Sequence, residues 1–305
     1  MNVHVIVDFM HIYYKYYFRR LNNYLPKLTY NGIDTTMIYY PLKDIEEIRK
    51  NLESNGHNVT MSICYDTPSI KKEESDGEYK SGRNNRLDDS DFKNIDEIRE
   101  LTTLAGHNNY ILDGYEADDI IYNLTKQSKN NFDVTLIYTN DKDIFINIDK
   151  DNKVGVMRYK APTKQRKAGY EMVSRNNFEA YVEQEYGVYI PYNAIGLFLA
   201  TAGDSADHIK GITKFGPKAF SKLITKIAAK NKIDWENCND YAELEKVITL
   251  CKDELTDVQF EELQESFKLV RNLDITEQLE LPISTSNIDK RSQAYLKYDM
   301  KSLVD

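Results

Sequence analysis

Three runs of apolar, largely β-branched residues, each closing on or just before an aspartate, constrain this chain more than any other feature. NVHVIVD (2–8), VTMSICYD (59–66) and VTLIY (134–138), the last followed at once by TNDKD (139–143), read as buried strands. A strand covered on both faces carries a near-continuous apolar run instead of an alternation. Helical spacing fills the intervals at about 9–22, 34–55 and 91–105, and again from GYEADDIIYNL (114–124), with a short strand at YIL (110–112). Strands alternating with helices predict an α/β fold with a mainly parallel central sheet flanked by helices. Ligands of such sheets bind at the carboxyl ends of the strands, which is where these aspartates fall.

The rest of the chain has a different texture. Residues 67–89 are polar and read as a loop or mobile element, VGVMRY (154–159) as a hairpin arm, and 176–187 and 191–202 as helices. Pro217 suits the first turn of a further helix. Beyond about 231 acidic helical stretches follow, without repeats or low-complexity tracts. The organisation expected is a core of 1–190 and a helical region of 191–305 ending in an acidic tail.

Net charge bears on the partner. The formal charge of −9 argues at first against a polyanion, but residues 231–305 hold 17 acids and 9 bases, whereas 1–230 hold 32 and 31. Clustering of bases, not their total, decides binding to nucleic acid. Cys64, Cys238 and Cys251 are odd in number and form no CxxC pair, which favours reduced thiols in a cytoplasm over disulfides or zinc. The N-terminus lacks the order of a secretory signal, and no apolar run reaches the roughly 18 residues of a spanning helix, so no membrane partner is expected.

The acids gather at particular points. Asp8 and Asp66 close two strands, Glu116, Asp118 and Asp119 follow the short strand, and Asp141 and Asp143 follow the last. Asp204 and Asp207 open GDSADHIKG after a helix. On a helix Glu116 and Asp119 share a face, with Asp118 turned about 100° from Asp119. Each acid taken singly is more often a cap or a solvated side chain. Converging in one crevice, they would repel by several kcal/mol per pair at about 4 Å, which calls for cations. Oxygen-rich sites suit Mg²⁺ or Mn²⁺, and two such ions about 3.5–4 Å apart serve phosphodiester displacement.

EADD (116–119), TNDKD (139–143) and GDSADHIKGITKFGPKAFSKLI (203–224), in this order, resemble the 5′ nuclease family of phage flap endonucleases and RNases H and the 5′ nuclease domain of bacterial DNA polymerase I. IVD (6–8), CYD (64–66), YKSGR (79–83) and EYGVYIP (185–191) extend the resemblance over about residues 1–230. It implies a magnesium-dependent 5′-3′ exonuclease and flap endonuclease that also removes RNA primers, with Asp8, Asp66, Glu116, Asp118 and Asp141 about a first ion. Asp119, Asp143, Asp204 and Asp207 then belong to a second, looser group. The implied partners are branched or 5′-ended DNA and RNA–DNA duplex, with a single-strand-binding protein or clamp, and the protein itself is expected to be a monomer. A free-standing enzyme of this length fits phage replication. Phe9, Asn140, His208 and Lys210 depart from the residues usual at those places, and none removes a carboxylate.

Basic elements complete the expectation. Lys80 and Arg83 are the candidates for stabilising charge at the scissile phosphate, with Tyr79 and Arg86 beside them for an unpaired strand. The resemblance makes this part of an arch-like segment over about 67–108. Arg158, Lys160, Lys164, Arg166 and Lys167 lie in a run of bases between Asn152 and Tyr170 that contains no acid. Gly211 and Gly216 flank a tight turn before Pro217, resembling a helix–hairpin–helix element (about 203–230) that grips a duplex backbone and holds K⁺. Of the lysines spaced at four from 210 to 230, Lys214, Lys218 and Lys222 are the DNA contacts chosen. Two other readings stand beside this one: a non-catalytic binder of branched DNA, and a single-strand ribonuclease.

Overall fold

The computed structural model describes residues 1–70, 87–163, 167–205, 207–235, 238, 241–280, 282 and 288–304. The described residues fall into two compact units, one comprising those within 1–67, 87–140 and 275–304, the other those within 68–70 and 141–274.

The first unit is built on parallel strands in the order β5 (Asn108–Tyr110), β4 (Asn58–Cys64), β1 (Asn2–Asp8) and β6 (Val134–Tyr138). β1 pairs with β4 from Asn2↔Asn58 to Asp8↔Cys64, and with β6 from Val3↔Val134 to Val7↔Tyr138. β5 pairs with the end of β4. Every residue of β1 and β4 after the first is buried, as their unbroken apolar runs predict. His4 is tolerated in mid-strand because Ser128 and Ser62 hydroxyls lie 2.6 and 2.7 Å from its two ring nitrogens, and burial pulls it down to about 3, a neutral imidazole.

Helices α1 (Phe9–Leu21), α2 (Thr36–Ser54), α3 (Asp89–Leu104) and α4 (Ala117–Ser128) alternate with these strands, and α10 (Ile288–Leu296) returns near the chain's end. A two-residue ribbon, β2 (Thr29–Tyr30) with β3 (Ile33–Asp34), joins α1 to α2. The α/β class with a mainly parallel sheet is as the sequence predicts.

In the second unit, β7 (Val154–Lys160) and β8 (Gly169–Ser174) form an antiparallel hairpin. Helices α5 (Phe178–Tyr186), α6 (Ile195–Ala202), α7 (Pro217–Asn231), α8 (Tyr241–Cys251) and α9 (Asp257–Val270) follow. Residues 195–201 of α6 are all buried, so this apolar helix is the unit's core, with α7, α8 and α9 packed about it. Pro217 is at the first turn of α7.

One expectation changes. The short strand is Asn108–Tyr110, two residues earlier than YIL, because side-chain hydrogen bonds from Asn109 to Thr103 and from Thr102 to Asn109 secure this edge while Ile111 stays exposed. By compactness the described residues divide at 67/68, 140/141 and 274/275. Residues 275–304 belong with the first unit because buried polar groups hold them there: the Tyr295 hydroxyl donates to Glu46 at 2.5 Å, and Arg291 lies 3.4 Å from Glu53.

Candidate metal centre

Strand register sets the site. Asp8 is both the last residue of β1 and the N-cap of α1, accepting from the His11 amide through Oδ1 at 3.2 Å. Its Oδ2 accepts from the Thr139 hydroxyl at 2.7 Å, the residue that follows β6. Two residues further along stands Asp141. Asp118 lies in the first turn of α4. Asp8, Asp118 and Asp141 each offer a carboxylate oxygen, and the three oxygens lie within 4.8 Å of one another. Asp8 is buried, Asp118 half-buried and Asp141 exposed, so the cluster opens to solvent on one side.

The neighbouring acids are tied to the same turn. Asp66 Oδ1 accepts from the Ala117 amide at 2.8 Å, joining the end of β4 to the start of α4. Glu116 and Asp119 form a reciprocal capping box, each carboxylate accepting from the other's backbone N–H. Asp119 is fully buried and Glu116 nearly so, so both serve first to start the helix. The N-termini of α1 and α4 both present backbone N–H groups to carboxylates, which offsets part of the charge. Cys64 lies opposite Asp8 in the register, and burial, then Asp8, Asp66 and Asp118 in turn, push its thiol well up.

Three carboxylates at this spacing repel by about 3 kcal/mol per pair at an effective dielectric of about 20. The α1 and α4 dipoles recover about 1 kcal/mol each at most. The set is therefore suited to a cation, and its donors are all hard oxygen, matching Mg²⁺, Mn²⁺ or Ca²⁺.

Residues 3–187 match the family described as "5'-3' exonuclease, N-terminal resolvase-like domain". The chain belongs to this family. Among members it is 27% identical over 289 residues to a 5′-3′ exonuclease of Aquifex aeolicus, covering 92% of this chain and 87% of that one. It is 28% identical over 253 residues to DNA polymerase I of Caldicellulosiruptor bescii, covering 82% of this chain and 27% of that one. The chain thus spans about a quarter of that polymerase's length. Its fold is shared with the bacteriophage T5 flap endonuclease in a pseudo-enzyme–product complex with DNA and metal ions, at 15% identity and a TM-score of 0.59, over 99% of this chain and 97% of that one. The bacteriophage T5 5′-exonuclease with bound zinc is similar at 16% identity and a TM-score of 0.53, over 88% and 100%.

In this member of the exonuclease family the second unit gathers its own acids. Tyr186 has a hydroxyl buried without a hydrogen-bond partner among the described residues. Burial and then Glu185 push this phenol up, against the pull of Arg158, and Asp204 and Asp143 add to the rise. Asp143 also accepts from the Ile144 amide at 3.0 Å, while Asp204 and Ile209 exchange two backbone hydrogen bonds of 2.9 Å across the following turn. Asp207 is half-buried within that turn.

The basic residues divide sharply. Lys226 pairs with Glu254, and Lys230 with Asp253 at 2.9 Å, whereas Lys214, Lys218 and Lys222 are exposed and make no ion pair among the described residues. The turn before α7 is tightly made. Gly203 and Gly211 have φ of +80° and +66°, and a Cβ on Gly211 would stand 2.4 Å from Gly203 N. Glu262 of α9 braces the turn by accepting from both the amide and the hydroxyl of Thr213, at 2.9 and 2.5 Å.

The other candidate contacts differ in their surroundings. A Cβ on Gly216 would meet nothing within 4 Å, so Gly203, not Gly216, is the demanding partner of Gly211. Arg158 is half-buried with its guanidinium 5.4 Å from both the Phe145 and Tyr181 ring centroids, and Lys160 is 2.8 Å from Glu171. Both face inward because β7 lies against aromatic residues of its own unit. Lys167 is exposed. Tyr79, Lys80, Arg83, Arg86, Lys164 and Arg166 lie outside the described residues. Thr139 was visible in TNDKD but was given no role; a hydroxyl directly after a strand that ends beside Asp8 was the available signal.

Proposed function

We propose that this chain is a metal-dependent, structure-specific 5′ nuclease, acting as 5′-3′ exonuclease and flap endonuclease on branched or 5′-ended DNA and on RNA–DNA duplex. The observation that carries the reading is the approach of Asp8, Asp118 and Asp141 oxygens to within 4.8 Å at the carboxyl ends of parallel strands. Family membership and the fold shared with the bacteriophage T5 enzyme support the same reading.

Asp8, Asp118 and Asp141 would hold the first ion, Mg²⁺ with Mn²⁺ as a substitute, with Asp66 and Glu116 beside them. Asp143, Asp204 and Asp207 would attend the second. Divalent ions so bound supply an activated water at neutral pH and stabilise charge on the attacking and leaving oxygens. The chain's own residues do the remainder. Thr139 fixes the rotamer of Asp8 by donating to Oδ2, and Asp66 anchors the first turn of α4 on which Asp118 stands. Lys214, Lys218 and Lys222 grip the duplex backbone without reading sequence, and K⁺ at the turn before α7 belongs to the same proposal. A non-catalytic binder of branched DNA would gain nothing from three mutually repelling carboxylates and is the poorer reading.

The test is cleavage of a 5′-labelled flap, a nicked duplex and an RNA–DNA hybrid, each with and without Mg²⁺. Mg²⁺-dependent release of short 5′ products is expected from the flap and the hybrid. Absence of any Mg²⁺-dependent product from all three would overturn the assignment.

A further inference from the structure

Residues 275–280, which the proposed chemistry leaves without a task, bond to the acid-bearing helix α4 and to the chain just before it. Asn123 of α4 is fully buried, an expensive place for an amide unless it is satisfied. Its Oδ1 accepts from the Ile275 amide at 3.2 Å and from the Thr276 hydroxyl at 2.9 Å, while its Nδ2 donates to the Asp119 carbonyl at 2.8 Å. One turn on, Gln127 Nε2 donates to the Thr276 carbonyl at 3.1 Å. On the other side of the acids, Gln278 Nε2 donates to the Tyr115 hydroxyl at 3.3 Å, the residue just before Glu116. The Tyr110 hydroxyl donates to the Glu280 carbonyl at 2.8 Å. Residues 275–280 therefore hold the chain on both sides of the turn carrying Glu116, Asp118 and Asp119: α4 at Asn123 and Gln127, and the segment before it at Tyr115 and Tyr110.

We infer that residues 275–280 are a strap that sets the position of the α4 acids, with Asn123 as its positioning residue, so that metal affinity depends on side chains that touch no metal. This rests on the reading of the acid cluster as a metal centre. Helix capping alone does not require it: Asp66 and the Glu116–Asp119 box already complete the N-terminus of α4. Asn123 adds a fixed link from the Asp119 carbonyl to a segment about 150 residues distant in sequence. Groups that orient metal ligands typically change metal affinity by about 10- to 100-fold when removed.

The experiment titrates the full-length protein with Mn²⁺ alone, reading free Mn²⁺ by electron paramagnetic resonance, with no DNA present. Asn123→Ala is expected to weaken Mn²⁺ binding about tenfold, and Gln278→Ala, on the exposed side of the strap, about threefold, a lesser share of the same effect. The metal requirement for cleavage should shift by the same factors, with turnover restored at saturating metal. Asp118→Asn separates the two ideas. If it binds Mn²⁺ as wild type does, the metal centre is misassigned and the strap proposal falls with it. If Asp118→Asn loses binding while Asn123→Ala and Gln278→Ala both bind as wild type, the metal centre stands and the strap alone is overturned.

Discussion

Glu46→Gln should cost the first unit about 3 kcal/mol at neutral pH and almost nothing in strong acid. Glu46 is 1% exposed, and three donors meet its carboxylate. His107 Nε2 and the Tyr295 hydroxyl each stand 2.5 Å from Oε1, and Arg49 Nε stands 2.6 Å from Oε2. Burial alone would raise this carboxyl, but His107, Arg49 and Tyr295 outweigh burial and bring it from 4.5 to about 2. That difference is worth about 3 kcal/mol of stability. Because the folded value lies below the unfolded one, the contribution is complete above about 4.5 and is lost as pH falls through about 2. Glutamine keeps the shape without the charge, so the gap between wild type and variant should hold from about pH 5 to 7 and narrow below 4.5. Urea unfolding followed by far-UV circular dichroism reads the gap. Tryptophan emission will not serve, since the single tryptophan, Trp235, lies in the other unit. A gap under about 1 kcal/mol at pH 7, the size of one ordinary hydrogen bond, or one as wide at pH 3 as at pH 7, would refute the reasoning.

Gly211→Ala should destabilise the second unit by at least about 3 kcal/mol, through a left-handed backbone and a clash with backbone atoms. Gly216→Ala should stay within about 0.5 kcal/mol, both read by Trp235 emission in urea. Replacing Lys214, Lys218 and Lys222 by Ala should lower the slope of log Kd against log salt for duplex DNA by about 2 to 3. Replacing the ion-paired Lys226 and Lys230 should lower it by less than about 1. Thr139→Val removes the donor to Asp8 Oδ2 and should raise the Mg²⁺ concentration needed for half-maximal cleavage about tenfold, with a stability loss near 1 kcal/mol; an unchanged Mg²⁺ requirement would remove Thr139 from the site.

How far the fold was legible depended on the range of the interactions that specify it. VTLIY and NVHVIVD declare themselves because burial on both faces demands continuous apolar residues, and strand ends then bring Asp8 and Asp141 to one edge. The edge strand at Asn108–Tyr110 was harder to place. Polar side-chain bonds fix it, and the more apolar Ile111 and Leu112 next to it drew the expectation forward. Glu116 and Asp119 read as metal acids but also satisfy a capping box, a dual use that three-residue spacing permits and does not distinguish. The return of the tail was illegible. Glu46, Arg49 and Glu53 look like surface pairs at helical spacing, yet Glu46 and Arg49 are buried, and the trio meets His107, Tyr295 and Arg291 from distant parts of the chain, the last two over 230 residues away. The lysines of α7 form one periodic series in sequence; Asp253 and Glu254 divide it into paired and unpaired members.

The most direct measurement replaces Asp141 by Asn and compares cleavage of a 5′ flap in Mg²⁺ with binding of the same DNA. Convergence of the acids on a cation requires turnover to fall by at least about 100-fold while DNA affinity stays within about threefold of wild type, since the phosphate contacts lie on other residues. Cleavage near the wild-type rate, or cleavage that persists in a chelator, would contradict it.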